Sequence, residues 1–131
     1  MPKKKLTRSK LVKKLDNIFS QYIRLSASDK DGNCVCITCG KKAHWKGEGQ
    51  QSGHFISRSA YSTRWDEDNV KVQCVGCNVY RYGEQYKFSL YLGKKKSKEL
   101  LDKSRIITKF ASYELEEMVE HYSSEVKKLL L

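Results

Sequence analysis

Two pairs of cysteines with the spacing C-x-x-C constrain this 131-residue chain more than any other feature. The first pair is Cys36 and Cys39, and the second is Cys74 and Cys77. Two such pairs offer the four thiolates that structural zinc accepts in tetrahedral coordination. One ion can bind both pairs only if the intervening chain folds back, so the spacing predicts a zinc-stapled loop. The alternative interpretation of a C-x-x-C pair is a redox-active dithiol.

The composition suits one small domain, because 39% of the residues are hydrophobic and a core of this size benefits from a bound metal. No run approaches the roughly 18 apolar residues that a membrane span requires, and residues 1–5 lack the apolar stretch of a signal peptide. We therefore expect an intracellular, cytoplasmic protein without a membrane partner. Thiols stay reduced in that compartment, which favours metal binding over disulfides. The fifth cysteine, Cys34, has no assigned role.

The charge balance points to a polyanionic partner. There are 26 lysines and arginines against 15 aspartates and glutamates, which gives a formal net charge of +11. Nucleic acid is the leading candidate. Lys3, Lys4 and Lys5 begin a basic segment, which either contacts phosphate or forms a solvated helix face. An anionic membrane surface would match the charge equally well, but no segment combines a basic face with an apolar face and aromatic anchors.

Apolar residues recur with helical spacing near both ends of the chain and adopt strand-like patterns between them. We predict a single α+β domain with a basic helix in residues 1–28, a zinc-bound core at 34–92 and C-terminal helices at 97–131. Within the core the pattern predicts a short strand in 34–39 that runs into a tight metal-binding turn, a loop at 43–52 and strand character at 55–56. A connection at 59–68 and a segment at 69–73 then lead into the second cysteine pair, and a helix follows at 78–91.

The last predicted helix, from about Ser112, is amphipathic. Its apolar stripe either packs within the chain, with the N-terminal helix as partner, or forms the seam of a homodimer. The stripe consists of Leu115, Met118, Val119, Tyr122, Val126 and Leu129.

His54 is the sharpest catalytic candidate, because a neutral imidazole with a pKa of about 6.5 can take a proton from water. A lone histidine after a glycine is ordinarily structural, so the surrounding residues matter. Asn69 lies five residues before Cys74, and Asn78 directly follows Cys77. The zinc site would therefore fix the positions of both amides.

These motifs resemble the HNH, or ββα-metal, nucleases, and more closely the phage NinG (Rap) family of recombination proteins. The asparagine directly after the last cysteine also resembles phage endonuclease VII, a Holliday-junction resolvase. The resemblance covers about half of the chain and rests on C36-x-x-C39-G40, residues 53–58, residues 64–69, Q73-C74-x-x-C77-N78 and Gly83.

The resemblance implies that His54 is the general base, that Asn69 braces the loop and that Asn78 binds a catalytic Mg²⁺ or Mn²⁺. Many HNH enzymes carry a second metal ligand directly before the base, where this chain has Gly53. The NinG-like pattern itself carries glycine there. The second ligand therefore stays open, with Glu84, Asp66 and His44 as candidates.

Other side chains in the core could contact DNA. Arg58, Arg64 and Arg81 are candidate phosphate clamps, since guanidinium binds phosphate bidentately, although each could be an ordinary surface arginine. The core aromatic residues either stack on unpaired bases or pack around the zinc site. They are Trp65, Tyr80, Tyr82 and Tyr86. No role is assigned to His121.

The sequence thus favours a metal-dependent DNA endonuclease acting on branched recombination intermediates, such as Holliday junctions or D-loops, in a phage-infected cell. One alternative is a non-catalytic, zinc-stabilised module that binds nucleic acid. Another is an HNH nicking enzyme with a different substrate.

Overall fold

The computed structural model of the chain describes residues 5–131, so Lys3 and Lys4 of the predicted basic segment lie outside the described residues. Helices and two small antiparallel sheets confirm the predicted α+β class. The elements, in chain order, are α1 (Arg8–Ser26), β1 (Asn33–Val35), β2 (Lys42–His44), β3 (Gln50–His54), α2 (Tyr61–Arg64), β4 (Val70–Cys74), a π-helix (Gly76–Tyr80), α3 (Gln85–Leu92), α4 (Lys94–Ser104) and α5 (Ser112–Leu130).

Helix α1 forms as its periodicity predicts. The Thr7 hydroxyl accepts a hydrogen bond from the Lys10 amide at 3.3 Å and caps the first turn. After the helix, the Asp29 carboxylate accepts bonds from the amides of Asp31 and Asn33, at 2.9 and 3.0 Å, and turns the chain into β1. The buried side of α1 carries Leu11, Leu15, Phe19 and Ile23.

Helix α5 packs along α1 and buries most of the predicted stripe within the chain. Leu115, Val119, Tyr122 and Val126 belong to the same core as the buried side of α1. The rings of Phe19 and Tyr122 meet edge to face, with centroids 4.9 Å apart. The alternative in which the stripe packs against the N-terminal helix is therefore the one observed. Within residues 5–131, no helix is both long enough and apolar enough to cross a bilayer.

Strands β3 and β4 form a hairpin-like antiparallel pair in which His54 lies opposite Val70 and Gln50 lies opposite Cys74. The loop predicted at 43–52 is partly wrong, because β2 and β3 occupy its two ends. Strand β3 was not predicted because its residues are polar, although Gln50 within it is buried. Its amide nitrogen donates to the Cys34 and Lys41 carbonyls, at 2.7 and 2.9 Å, and so replaces the hydrogen bonds of water.

The helix predicted at 78–91 is also interrupted. The π-helix ends at Tyr80 and α3 begins at Gln85, with Tyr82, Gly83 and Glu84 all at positive φ (53°, 86° and 47°). A right-handed helix cannot include three such residues, so the chain turns there. Strand 55–56 is likewise wrong, because β3 ends at His54.

Candidate functional site

The four predicted metal ligands converge on one point. The sulfur atoms of Cys36, Cys39, Cys74 and Cys77 all lie within 4.8 Å of one another. Tetrahedral zinc with bonds of about 2.3 Å would separate its sulfur ligands by about 3.8 Å, so the cluster has the right size. The four thiols can therefore hold a structural metal such as zinc. Cys34 is instead buried in the main core and is not part of the cluster.

The surroundings favour the thiolate, the form that binds metal, at Cys36 and Cys77. At Cys39 a backbone hydrogen bond from Lys41 lowers the pKa, but burial and hydrogen bonds with the other cysteine sulfurs outweigh it and raise the pKa to about 12. Burial opposes ionisation of Cys36, but hydrogen bonds from Thr38 and from neighbouring backbone groups outweigh it and lower its pKa to about 6. Burial also opposes ionisation of Cys77. There, hydrogen bonds from Thr38 and from Arg81, whose Nη2 lies 3.3 Å from the sulfur, still lower the pKa.

His54 ends β3 and lines a cleft of about 860 Å³ that Asn78 also lines. Its Nε2 lies 3.0 Å from the Arg64 carbonyl oxygen. A carbonyl can only accept, so Nε2 carries the proton and Nδ1 is left with its lone pair. Burial lowers the pKa of His54 and outweighs the opposing effect of the hydrogen bond to Arg64. The imidazole is therefore neutral at neutral pH.

Asn69 is fully buried and holds the loop after β3 in place. Its Oδ1 accepts from the Ile56 amide at 2.7 Å, and its Nδ2 donates to the carbonyls of Ile56 and Thr63, both at 3.0 Å. Both amide hydrogens and one lone pair of the oxygen are used, and Asn69 does not line the cleft, so it is not a ligand there. It fixes the segment that carries the carbonyl partner of His54.

Asn78 lies on the π-helix immediately after the cysteine cluster. Its Nδ2 donates to Gln51 Oε1 at 2.8 Å. No donor among residues 5–131 hydrogen-bonds to its Oδ1, which leaves that oxygen available to a ligand. The sequence predicts no role for Gln51 of β3. A polar residue in a short strand has no sequence pattern that would indicate its hydrogen bond to Asn78.

A side chain at position 53 would compete with Gln73 for the same space. A Cβ at position 53 would overlap with the Gln73 carboxamide oxygen. The Gln73 amide nitrogen donates to the Gly83 carbonyl at 2.8 Å and to Thr38 Oγ1 at 3.2 Å, so the side chain links β4 to the turn beside the cleft and to the cysteine cluster. The missing ligand before His54 thus reflects the packing of the sheet.

None of the three candidates for a second ligand lines the cleft. Asp66 pairs with Lys103 at 2.6 Å, and Glu84 pairs with Arg81 at 3.4 Å. His44 lies on β2, in the other sheet, where its ring packs against Gly32. These three assignments are therefore unsupported by the geometry.

The one carboxylate that lines the cleft, within the described part of the chain, is Asp16 of α1. It accepts from Arg64 Nε at 3.1 Å, from Arg64 Nη2 at 2.6 Å and from Trp65 Nε1 at 2.9 Å. A carboxylate engaged by three donors is a structural group that ties α1 to α2. Asp16 is the only acidic residue of α1, and this is the signal in the sequence that could have identified it.

The three predicted phosphate clamps differ in their availability. Arg64 is held by Asp16 and donates to the Arg58 carbonyl at 3.0 Å, so its guanidinium is not free. Arg81 lies between the Cys77 sulfur and Glu84. Arg58 is exposed at the cleft, where its nearest acidic atom is 3.8 Å away on Asp16. Arg58 is thus the one of the three that can reach a phosphate there.

The aromatic residues also divide. Trp65 is buried in the main core, as the packing interpretation predicts. Tyr80, Tyr82 and Tyr86 are exposed instead, although they follow the metal cluster closely in sequence.

Comparison with known proteins places the sequence of this chain in a family. Residues 2–130 match the family model described as bacteriophage lambda NinG protein. Protein ninG of Escherichia phage 933W is 29% identical over 98 residues, which covers 72% of this chain and 44% of the relative. Protein ninG of Salmonella phage P22 is 30% identical over 88 residues, or 65% of this chain and 39% of the relative.

The chain spans less than half the length of these curated relatives. No solved structure matches it. The family model, by contrast, covers nearly all of the 131 residues. The chain belongs to the bacteriophage lambda NinG protein family.

Proposed function

We propose that this chain is a metal-dependent DNA endonuclease of the HNH, or ββα-metal, type. Its proposed substrates are branched recombination intermediates, such as Holliday junctions and D-loops. The observation that carries the proposal is the shared cleft of His54 and Asn78, in which one side chain offers a basic nitrogen and the other a free amide oxygen.

His54 acts as the general base. The carbonyl of Arg64 fixes its tautomer, and the lowered pKa keeps Nδ1 unprotonated at neutral pH. Such a nitrogen can remove a proton from water as that water attacks a phosphorus atom. Asn69 contributes indirectly, because it holds the loop on which this geometry depends.

Asn78 is the proposed protein ligand of a catalytic Mg²⁺ or Mn²⁺. Hard divalent cations prefer oxygen ligands, and Mg²⁺ often keeps several waters while binding few protein groups and the substrate phosphate. The cleft fits that mode, because it offers the Asn78 oxygen and no free carboxylate among the described residues. When bound, such an ion stabilises the charge of the scissile phosphate.

Arg58 and the net charge of +11 support a polyanionic substrate. The succession of β3, β4 and the π-helix, closed by the cysteine cluster, is consistent with a ββα-metal core. Recombination as the setting follows from the family resemblance.

The second candidate is a non-catalytic zinc-stabilised module that binds nucleic acid. Its specific support is the packing at Gly53, where Gln73 excludes any side chain that could serve as the second metal ligand.

A cleavage assay separates the two candidates. The purified chain is incubated with linear, flapped and four-way DNA in Mg²⁺, in Mn²⁺ and without added divalent metal. The endonuclease proposal predicts metal-dependent cutting of branched DNA, with Asn78→Ala impaired and partly restored by raised metal concentration. Tight DNA binding without cutting in either metal would favour the binding module.

A further inference from the structure

Three exposed tyrosines lie in the short segment 80–86, which runs from the end of the π-helix to the first turn of α3. Tyr80 is 76% exposed, Tyr82 is 89% exposed and Tyr86 is 75% exposed. Within residues 5–131 their rings pair with no other aromatic ring, and their hydroxyls make no hydrogen bond. The segment therefore presents three large aromatic side chains that contribute nothing evident to the core.

The backbone holds this segment in an unusual shape. Tyr82 adopts φ 53° and Glu84 adopts φ 47°, a left-handed conformation that is unfavourable for residues with a side chain. Gly83, between them, is fixed by the hydrogen bond from Gln73. The fold thus projects the Tyr82 ring outward through a turn anchored on the buried sheet.

The segment reaches the proposed active site through Tyr82 and its neighbours. Tyr82, Gly83 and Gln85 line the cleft that contains His54 and Asn78. A cationic side chain accompanies them, since Arg58 lines the same cleft and is more than half exposed, whereas Arg81 and Lys87 beside the turn pair with Glu84. Exposed aromatic rings beside cationic groups are the combination that binds single-stranded nucleic acid, by stacking on bases and attracting the backbone.

We propose that Tyr80, Tyr82 and Tyr86 form a stacking platform for unpaired bases of DNA next to the scissile phosphate. The substrate class is therefore DNA that exposes unpaired nucleotides beside a duplex, such as a flap, a gap or an open junction. The position of the platform beside a scissile phosphate rests on the proposed nuclease function.

The test measures binding without cleavage, so that its outcome does not depend on the nuclease proposal. Fluorescence anisotropy without added Mg²⁺ or Mn²⁺ gives the affinities of the full chain for a flapped duplex and for the same duplex with blunt ends. The variants are the triple replacement of Tyr80, Tyr82 and Tyr86 by alanine, the corresponding triple phenylalanine variant, and Tyr113→Ala. Tyr113 is an exposed tyrosine on α5, outside the cleft, and serves as the matched control.

The platform predicts that the triple alanine variant binds the flapped DNA at least about 5-fold more weakly, since each stacked base contributes roughly 5- to 150-fold. The blunt duplex should be bound with little change, and the phenylalanine variant should retain the parental preference because the rings remain. Circular dichroism establishes that the variants are folded. Equal losses on both DNAs, a phenylalanine variant as weak as the alanine variant, or a loss in Tyr113→Ala as large would each overturn the proposal.

Cleavage of the same substrates then distinguishes the two proposals. If the parent prefers flapped DNA but never cuts it, the nuclease proposal fails and the platform stands. If the parent cuts but the triple alanine variant retains the full preference for flapped DNA, the platform fails and the nuclease proposal stands.

Discussion

The contact between Gly53 and Gln73 makes a prediction at the scale of single residues. Gly53→Ala should destabilise the protein by about 1–3 kcal/mol, the usual cost of overpacking, because the new methyl group must displace the Gln73 carboxamide. That displacement also breaks the hydrogen bond to Gly83. Chemical denaturation of the purified variant measures the change in the free energy of unfolding.

Replacing Gln73 with alanine provides the control. If the two side chains compete for one space, the double variant should lose clearly less stability than the sum of the single variants. Additive losses would mean that Gly53 is required for another reason.

The lowered pKa of His54 predicts how cleavage depends on pH. A general base works only when neutral, and burial holds the pKa of His54 below its usual value of about 6.5. The rate should therefore stay constant from neutral pH to below pH 6.5 and decline only at more acidic pH. The same shift destabilises the fold as the pH falls below 6.5, because the unfolded chain then takes up the proton more readily.

Single-turnover rates between pH 5 and 8 measure this dependence, with thermal melts at each pH to separate loss of fold from loss of base. A rate that halves above pH 6.5 would contradict the environment described for His54.

Residues whose chemistry depends on their type could be chosen from the sequence, whereas residues that depend on their neighbours could not. His54 and Asn78 lie in one cleft, where the spacing of the cysteines would bring them. The sequence predicts no role for Gln73 or Asp16, because their roles arise from contacts across strands or between distant helices. Arg64 was assigned to phosphate for the same reason, since its partner Asp16 lies 48 residues earlier.

At the scale of elements, the cysteine cluster joins two parts of the chain that are distant in sequence. Cys36 and Cys39 follow β1, while Cys74 and Cys77 join β4 to the π-helix that carries Asn78. Metal binding to such a site contributes on the order of 10 kcal/mol to folding. Cys36→Ser or Cys77→Ser should therefore unfold the segment that carries Asn78.

Elemental analysis and thermal melting test this prediction. We expect one zinc per chain, and a large fall in melting temperature when a chelator removes it. Cys34→Ala is the matched control, because Cys34 is equally buried but outside the cluster, and it should keep its zinc. If the protein contained no zinc, or if its melting temperature did not change in chelator, a structural metal would be excluded.

Long helices were predictable as elements because each needs only a periodic apolar face. Helix α1 and helix α5 follow their apolar spacing closely. Short strands such as β2 and β3 were not, since their polar residues are stabilised by tertiary hydrogen bonds such as those of Gln50. The break before α3 also escaped prediction, because two of its three residues at positive φ are not glycine.

At the scale of the whole molecule, the positive charge predicts binding that weakens with salt. The logarithm of the affinity for duplex DNA should fall with the logarithm of salt concentration by about 0.9 per phosphate neutralised. Arg58→Ala should reduce that slope by about 0.9 if its guanidinium binds one phosphate. Arg105, exposed at the end of α4, gives a matched control of equal charge. A parental slope near zero would exclude a polyanionic partner.

Assembly remains a prediction as well. Resolving a four-way junction requires two cuts, and the described residues contain one cleft with His54, so a resolvase would need two chains. The stripe on α5 is occupied by α1, and a homodimer must therefore use another surface.

The central claim is that the cleft of His54 and Asn78 is a nuclease active site, and the most direct measurement is the single-turnover cleavage of four-way DNA by His54→Ala. The rate should fall by about 100-fold or more, the usual contribution of a general base, while DNA affinity changes little. His121→Ala is the matched control, since His121 lies exposed on α5 outside the cleft, and it should cut at the parental rate. A His54→Ala variant that cuts as fast as the parent would contradict the assignment of the active site.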